Sequence, residues 1–331
     1  MNEKTRFDVI IPVAKKDISF VPRVVDYVTR CLSGVSMIFI LTSKRNIPKL
    51  VKALRGFLNC TILDEDELAP SLSYGRVGAL LLKIAGNRDR TGWYLQQFLK
   101  YGFAQSKYAN KYYLSWDADT LPLAPISFFE DNHILYNPKS EYNPNYFKTI
   151  EKIFGFGKVN NKSFISENMM FSVEMVKHLI ADVNAAEIKG NDWIEKILYA
   201  CDFADPLPAF SEFETYGSYC CVKNQGLYKE RHLNTFREAG MISGRFISER
   251  RLRLMSFDID MASFEEFHQP LFPYNIAYLF RKNVDRVCKI VKLPISEVIA
   301  KIMRKIKKKD KEAQKVIERT MCRLPGKQNN M

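Results

Sequence analysis

The stretch F-D-V-I-I-P-V, from Phe7 to Val13, indicates the fold class of this chain. It is a short apolar, β-branched run that ends at a proline and the charged segment Lys15–Asp17, which is the pattern of a buried strand. Downstream, Phe20–Leu32 has apolar residues at helical spacing and precedes Gly34, and Ser36–Thr42 is a second run typical of a strand. The chain therefore begins with a predicted strand, helix and strand.

The same alternation continues beyond the second strand. Pro48–Leu58 predicts a helix with its proline in the first turn, and Cys60–Leu63 predicts a third strand. The order β-α-β-α-β predicts an α/β fold with a mostly parallel, Rossmann-like central sheet flanked by helices, and ligands at the carboxyl ends of its strands. Further predicted elements are a helix over Arg90–Tyr108, strands over Lys111–Trp116 and His133–Tyr136, and helices over Val173–Asp182, Asn191–Cys201 and from Ser211 onward.

Length and composition exclude several classes of protein. With 331 residues, 47% hydrophobic and 26% charged, the chain has an ordinary globular composition and room for at most two domains. We expect neither a secretory signal nor a membrane-spanning helix, because the first thirty residues are charged and no apolar run reaches about 18 residues. The seven cysteines include no C-x-x-C pair and read as reduced thiols of a cytosolic chain.

The net charge of +13 lies mostly at one end of the chain. Residues 270–331 hold 16 Lys and Arg against 5 Asp and Glu, a net +11, and residues 1–269 carry only +2. We therefore predict a catalytic domain over 1–269 and a basic amphipathic helical tail over 270–331. One helical stripe of the tail comprises Ile295, Val298, Ile299, Ile302, Met303 and Ile306.

Three interpretations of this tail stay open. A basic amphipathic helix can lie on an anionic membrane surface, pack on its own catalytic domain, or meet nucleic-acid phosphates. The first is our prediction, with the protein held peripherally at the cytoplasmic face of the membrane. No nucleic-acid partner is expected, because nothing else in the chain resembles a nucleic-acid-binding module.

The acidic pair Asp117 and Asp119 is the main chemical signal. It follows the aromatic strand predicted to end at Trp116, and alternation places both carboxylates on one side of an extended segment. Two hard carboxylates at a strand end suit Mg²⁺ or Mn²⁺ shared with a diphosphate. A solvated acidic pair is the alternative, since the D-x-D pattern is weak and recurs at Asp64–Asp66 and Asp258–Asp260.

Five blocks of this sequence, in order, resemble GT-A-fold nucleotide-sugar glycosyltransferases. The chain is similar, more narrowly, to a little-characterised bacterial family found in surface-polysaccharide gene sets. The resemblance covers roughly residues 7–270 and excludes the tail. The blocks are Phe7–Val13, Arg90–Lys100, Ser115–Thr120, Phe164–Phe171 and Phe210–Gly217.

The resemblance implies a GT-A-like fold and roles for particular residues. Asp117 would lie near the donor ribose or the metal, and Asp119 would ligate the metal that bridges the donor phosphates. His268 would be a third metal ligand, although a lone histidine is more often structural. Donor contacts are expected at Pro12, Val13, Arg90, Gln96, Gln97, Lys100 and Asp117.

Gln96 and Lys100 are four residues apart in the predicted helix Arg90–Tyr108, which is helical spacing. It would let Lys100 project toward phosphate, and the alternative for Gln96, Gln97 and Lys100 is a solvated helix face.

The last block, Phe210–Gly217, contains the candidates for the catalytic base. A direct-displacement transferase needs a base for the acceptor hydroxyl, and Glu212 and Glu214 are the candidates, without a choice between them. Glu167 and Asp192 are reserve candidates for the same role. Glu214 also fits a capping box that begins at Ser211, which would give it a structural role.

The sequence thus predicts a metal-dependent glycosyltransferase of the hexosyltransferase class. The donor would be a nucleotide sugar, expected to be a UDP-sugar, with Mn²⁺ or Mg²⁺ as cofactor. The acceptor would be a bacterial surface glycan or a lipid-linked glycan. Two other functions stay open: a nucleotidyltransferase that acts on a sugar phosphate, and a non-enzymatic adaptor for membranes or polyanions.

Overall fold

A computed structural model describes residues 5–282, apart from Pro70, Asn132 and Pro206, together with Arg304. The chain divides into two compact units. The larger unit contains residues up to 236 together with 253–263, and the second contains 237–252 and the residues from 264 onward.

The strands of the described residues are numbered in chain order. They are β1 (Phe7–Pro12), β2 (Val35–Thr42), β3 (Cys60–Asp64), β4 (Tyr112–Trp116), β5 (Thr120–Pro122), β6 (Phe129–Glu130), β7 (His133–Tyr136), β8 (Asn168–Ser172), β9 (Tyr228–Glu230), β10 (Thr235–Phe236) and β11 (Met261–Ser263).

The helices of the same residues are numbered in the same way. They are α1 (Val21–Cys31), α2 (Ile47–Ala53), α3 (Tyr74–Ala85), α4 (Thr91–Gly102), α5 (Pro144–Phe154), α6 (Val173–Ala185), α7 (Trp193–Ala200), α8 (Glu212–Lys223), α9 (Gly240–Ser243), α10 (Glu249–Met255) and α11 (Tyr274–Lys282).

The central sheet has the strand order β3-β2-β1-β4-β8. The strands β1 to β4 are parallel, and β8 lies antiparallel beside β4 with Trp116 opposite Asn168. Every residue of β1 is buried, as expected of an inner strand of a parallel sheet covered on both faces. The carboxyl ends of the parallel strands and the amino end of β8 therefore share one edge of the sheet.

Two small sheets accompany the central sheet. Strand β5, directly after the acidic pair, is antiparallel to β11, and Thr120 Oγ1 lies 2.8 Å from Ser263 Oγ in the paired register. The other small sheet has the order β6-β7-β9. The segment that carries Asp117 and Asp119 is thus held between the central sheet and a second, separate pairing.

The predicted α/β architecture with a mostly parallel central sheet flanked by helices is confirmed. The first four predicted strands agree with the structure to within one residue at each end, and the strand His133–Tyr136 has the predicted bounds. The predicted helix Arg90–Tyr108 is shorter, because α4 ends at Gly102 and a 3-10 turn follows. Helices α3 and α5 and the antiparallel β8 were not predicted.

The predicted division into a catalytic domain and a tail stays a prediction. The predicted boundary at residue 270 lies inside this unit, which also includes residues 237–252. The predicted tail helix over Ile295–Ile306 lies outside the described residues except for Arg304, which is helical. Within the part that the structure describes, no helix is long and apolar enough to cross a membrane.

Candidate functional site

The ammonium of Lys100 lies among acidic side chains near the end of α4. Its Nζ is 2.5 Å from Glu212 Oε1 and 3.7 Å from Asp117 Oδ1, and it sits 4.0 Å from the centroid of the Phe213 ring. The side chains of Lys100 and Glu212 are each 6% exposed. Lys100 therefore joins the start of α8 to the end of β4 through a buried ion pair.

One face of α4 fixes the position of Glu212. Gln97 and Tyr101 lie on the same helical face as Lys100, because residues three and four apart are neighbours on a helix. Gln97 Oε1 accepts a hydrogen bond from the Glu212 amide at 3.2 Å, and the Tyr101 hydroxyl donates to the Glu212 carbonyl at 2.6 Å. The alternative of a solvated helix face is therefore wrong for Gln97 and Lys100, whereas Gln96 is half-buried.

Asp117 and Glu167 meet because β4 and β8 are antiparallel. The Asp117 amide donates to the Glu167 carbonyl at 3.1 Å, just beyond the paired residues of the two strands. The Glu167 carboxylate, 3.5 Å from Lys139 Nζ, is buried, and Lys139 Nζ also donates to Thr235 Oγ1 at 2.5 Å. The sheet edge thus brings two lysines and several carboxylates together.

Negative charge exceeds positive charge around Asp117. Burial raises the pKa of its carboxyl group; Lys100 opposes this rise, and the carboxylates of Asp119, Glu212 and Glu167 add to it, giving a pKa of about 7. The side chain is still 31% exposed, so the group keeps access to solvent. A cation bound here would relieve the mutual repulsion of these carboxylates.

A tight turn carries Asp117 and Asp119. The Thr120 amide donates to the Asp117 carbonyl at 3.2 Å, and the Trp116 indole Nε1 donates to the Thr120 carbonyl at 2.8 Å. Both aspartates are half-buried, and Asp119 acts electrostatically on Asp117. The turn therefore sets both carboxylates at the same edge of the sheet.

Glu214 has a different environment from Glu212. Its Oε2 accepts from Ser163 Oγ at 2.7 Å and from the Phe164 amide at 3.1 Å. Ser211 caps α8, as its Oγ accepts from the Glu214 amide at 3.3 Å, but the Glu214 carboxylate does not complete a capping box. Glu214 therefore holds the loop before β8 through its carboxylate, and the choice between Glu212 and Glu214 as the base stays open.

The predicted donor contacts occupy more than one place. Val13 follows β1, and its carbonyl accepts from Thr42 Oγ1 at 2.8 Å, so Pro12 and Val13 lie at the ligand edge of the sheet. Arg90 precedes α4, about 15 Å from Lys100 along the helix axis at 1.5 Å per residue. It lines a separate cavity of about 170 Å³, and its role as a donor contact stays a prediction.

Asp192, a reserve candidate for the base, and His268, the predicted third metal ligand, lie elsewhere in the structure. Asp192 caps α7 by accepting from the amides of Ile194 and Glu195, and it pairs with Arg76 at 2.8 Å. His268, in the second unit, is buried against Gly240, where an added Cβ would lie 2.7 Å from the His268 Cβ. Its role as a metal ligand stays a prediction.

The acidic pair does not form a complete metal site by itself. Within the described residues, no group of three or more histidine, cysteine or acidic side chains is arranged to hold a metal ion. Asp117 and Asp119 can supply two oxygen ligands, and Mg²⁺ commonly takes one or two carboxylates and completes its shell with substrate phosphates and water. The pair therefore fits a cation that arrives with a phosphate-bearing substrate.

A cleft of about 810 Å³ opens beside the acidic cluster. It is lined by the segment after β7, by Lys162, by the segment around His232 and by Asp258 and Ile259. Lys139 lies in its wall and contacts Glu167 on the other side. Sequence reasoning missed Lys139, since no local pattern distinguishes it from the other lysines of the chain.

Comparisons with solved structures return several glycosyltransferases at low similarity. Mouse xyloside xylosyltransferase 1 has a TM-score of 0.43 and 12% identity, covering 81% of this chain and 100% of that one. The bifunctional glycosyltransferase WbbM has a TM-score of 0.41 and 11% identity, covering 80% of this chain and 46% of its own. An active-site mutant of LgtC has a TM-score of 0.38 and 12% identity, and the match covers 78% of this chain and 87% of the LgtC chain.

Sequence comparison gives a family and no characterised relative. No curated protein matches the chain. The family model DUF6492, described as a family of unknown function, matches residues 33–243, which include the acidic pair, Lys100, Glu167 and Glu212. This chain is therefore a member of the DUF6492 family.

Proposed function

We propose that this protein is a metal-dependent glycosyltransferase that uses a nucleotide-sugar donor. The observation that carries the proposal is the convergence of Asp117, Asp119, Glu167 and Glu212 with Lys100 at the carboxyl end of a mostly parallel sheet. In open α/β sheets this edge is where ligands bind. A strongly charged and partly buried cluster at such an edge is typical of a functional site.

The chemistry of sugar transfer explains why acidic residues would be needed there. Cleavage of the sugar–phosphate bond leaves a nucleoside diphosphate, and a divalent cation bound to it stabilises the developing negative charge. Asp117 and Asp119 would hold Mn²⁺ or Mg²⁺ with the donor phosphates. Lys100 would keep Asp117 and Glu212 in position, because its ammonium is already paired with both.

The proton of the acceptor hydroxyl needs a carboxylate within reach. Glu212 and Glu167 both act on Asp117 electrostatically, and we propose that the base is one of these two. Glu214 is assigned to the loop before β8, because its oxygen already accepts hydrogen bonds from Ser163 and Phe164.

The proposal also names the donor, the acceptor and the location of the protein in the cell. We propose a UDP-sugar as donor and a bacterial surface glycan or lipid-linked glycan as acceptor. The basic tail, with 16 Lys and Arg against 5 acids over residues 270–331, supports attachment to an anionic membrane at its cytoplasmic face. These assignments follow from the sequence resemblance and from the charge of the tail.

Nucleotide binding is the direct test. Thermal unfolding would be measured with UDP, GDP, CDP or ADP, each with Mn²⁺, with Mg²⁺ or with excess chelator. We expect one nucleotide to stabilise the protein only with metal, by about 2.7 kcal/mol at a hundredfold excess over its dissociation constant. Equal stabilisation in chelator would contradict the proposed metal bridge. No response to any nucleotide would contradict the proposal that the donor is a nucleotide sugar.

Three matched glutamine variants test the base. Glu167→Gln and Glu212→Gln should be compared with Glu214→Gln for donor hydrolysis or transfer and for nucleotide binding. We expect one of the first two to lose turnover while it still binds nucleotide with metal, and Glu214→Gln to keep both. Loss of turnover in Glu214→Gln alone would reverse the assignment.

A further inference from the structure

The cleft beside the acidic cluster has the size and chemistry of a site for a small polar molecule. Its volume of about 810 Å³ lies within the range of about 300–1,000 Å³ that is usual for ligand pockets. Eight of the eleven described lining residues carry polar groups that can bind sugar hydroxyls, while apolar atoms make up the larger share of the exposed lining surface. Pro138, Leu233 and Ile259 add apolar surface.

Hydrogen bonds between its walls hold the cleft open and in shape. Lys139 and Ser163 exchange both backbone hydrogen bonds, at 3.0 and 2.9 Å. The Leu233 amide donates to Asn137 Oδ1 at 2.9 Å, and the Asn234 amide donates to Asp260 Oδ2 at 2.8 Å. Because each wall is tied to the next, a ligand would not have to order these segments on binding.

The charge of the lining favours an anion. The described residues of the lining carry two ammonium groups, those of Lys139 and Lys162, and one carboxylate, that of Asp258; Lys139 is also paired with Glu167 and Lys162 with Glu230 outside the lining. Lys162 pairs with Glu230 in an exposed ion pair whose side chains are 45% and 42% exposed. Exposed ion pairs contribute little to stability, so an anionic group of a ligand can take the place of the Glu230 carboxylate at low cost.

The position of the cleft relates it to the reaction. Lys139 Nζ in the cleft wall is 3.5 Å from Glu167 Oε2, and the Glu167 carbonyl accepts the hydrogen bond of the Asp117 amide. A ligand in the cleft is therefore separated from the acidic pair by a short chain of contacts. We propose that this cleft is the acceptor site and that the acceptor is an acidic saccharide. This inference rests on the proposed glycosyltransferase function and names the chemical class of its acceptor.

The test is binding of three disaccharide probes to the full chain without donor. Cellobiouronic acid carries a carboxylate, cellobiose 6′-phosphate carries a phosphate, and cellobiose is neutral; NMR titration gives each dissociation constant. We expect at least one acidic probe to bind about tenfold more tightly than cellobiose, because a hydrogen bond to a charged group contributes more than a neutral one. The two acidic arms distinguish a uronate from a sugar phosphate.

A matched pair of lysine variants assigns the effect to the cleft. Lys162→Gln should reduce the preference for the acidic probe to less than twofold. Lys229→Gln is the control, because Lys229 forms a similarly exposed ion pair with Glu130, at 49% and 51%, outside the cleft. We expect the control to keep the tenfold preference.

Each result has a separate meaning for the two proposals. Equal binding of the three probes, no measurable binding of the acidic ones, or an equal loss in both lysine variants would overturn the acidic acceptor. Nucleotide binding with metal, measured on the same sample, reports on the donor site. A protein that binds nucleotide with metal but no acidic probe would keep the proposed transferase and lose this inference.

Discussion

Lys100 and Glu212 form a buried ion pair between residues 112 positions apart in the chain, with 2.5 Å from Nζ to Oε1. The pair joins the end of α4 to the first residue of α8, and Asp117 lies within 3.7 Å of the same ammonium. Burial of one charge is tolerated here only because the other is present. The integrity of the acidic cluster therefore depends on this contact.

Removal of the lysine should destabilise the fold. Lys100→Met leaves Glu212 and Asp117 close together without their cation, and we expect a loss of about 3–5 kcal/mol in the free energy of unfolding. The double variant Lys100→Met/Glu212→Gln should lose less than the sum of the two single variants. Urea unfolding measures all three. Lys223→Met, which breaks an exposed pair with Asp182, should cost about 1 kcal/mol or less, and additivity in the double variant would contradict a direct pair.

The second aspartate of the acidic pair should be needed for turnover and not for folding. Asp119→Asn removes one proposed oxygen ligand from a half-buried turn, and we expect transfer to fall by about a hundredfold or more with little change in unfolding. Steady-state assays over a range of Mn²⁺ concentration would show it. Asp26→Asn, in an exposed pair with Arg30, is the control; wild-type turnover in Asp119→Asn would exclude this carboxylate from the site.

Glu214 should make stability depend on pH in a defined direction. Burial raises the pKa of its carboxyl group, and hydrogen bonds from Ser163 and Phe164 oppose this only in part. The folded state therefore binds the proton more tightly than the unfolded state, so the contribution is present below the ordinary glutamate pKa and is lost as pH rises through the folded pKa. Glu214→Gln should remove this decline.

Urea unfolding of wild type and Glu214→Gln at several pH values between 4 and 7 checks the sign. The difference in unfolding free energy should shift in favour of the variant as pH rises. A constant difference over this range would show that the carboxyl group titrates alike in the folded and unfolded chain.

Gly217 should be intolerant of a methyl group. A Cβ at this position in α8 would lie 2.2 Å from Phe164 Cγ, so the ring and the loop that leads to Glu167 would have to move. We expect Gly217→Ala to cost about 1–3 kcal/mol. Gly92→Ala, in α4 with open space around it, should be neutral or stabilising by up to about 1 kcal/mol. Thermal unfolding of the two variants compares them directly, and equal stability would contradict the close packing.

The lysine run near residue 307 should contribute to membrane attachment. Each basic residue near an anionic surface adds about 1 kcal/mol, so Lys307, Lys308 and Lys309 changed together to Gln should weaken binding to phosphatidylserine vesicles by tenfold or more. Wild-type binding should also fall with added salt. The same number of changes at the exposed Lys49, Lys52 and Lys83 is the control. Unchanged co-sedimentation of the tail variant would leave the tail without this role.

The sequence alone determined the alternation of strands and helices. Apolar β-branched runs such as Phe7–Pro12 and the helical spacing of α1 are local patterns, and a parallel sheet buries its strands so completely that they stand out. The same reasoning located Asp117 and Asp119 at a strand end. It missed α3 and β8, because an apolar run does not by itself distinguish a helix from a strand or a parallel from an antiparallel neighbour.

Only the tertiary structure decided what the charged side chains do. The two glutamates of the S-E-F-E segment have nearly the same sequence context, yet Glu212 pairs with Lys100 and Glu214 with Ser163. Residues two apart on a helix point in different directions, and their partners come from α4 and from the loop before β8. Sequence pattern reports local periodicity, whereas an ion pair across 112 residues depends on how the sheet and helices pack.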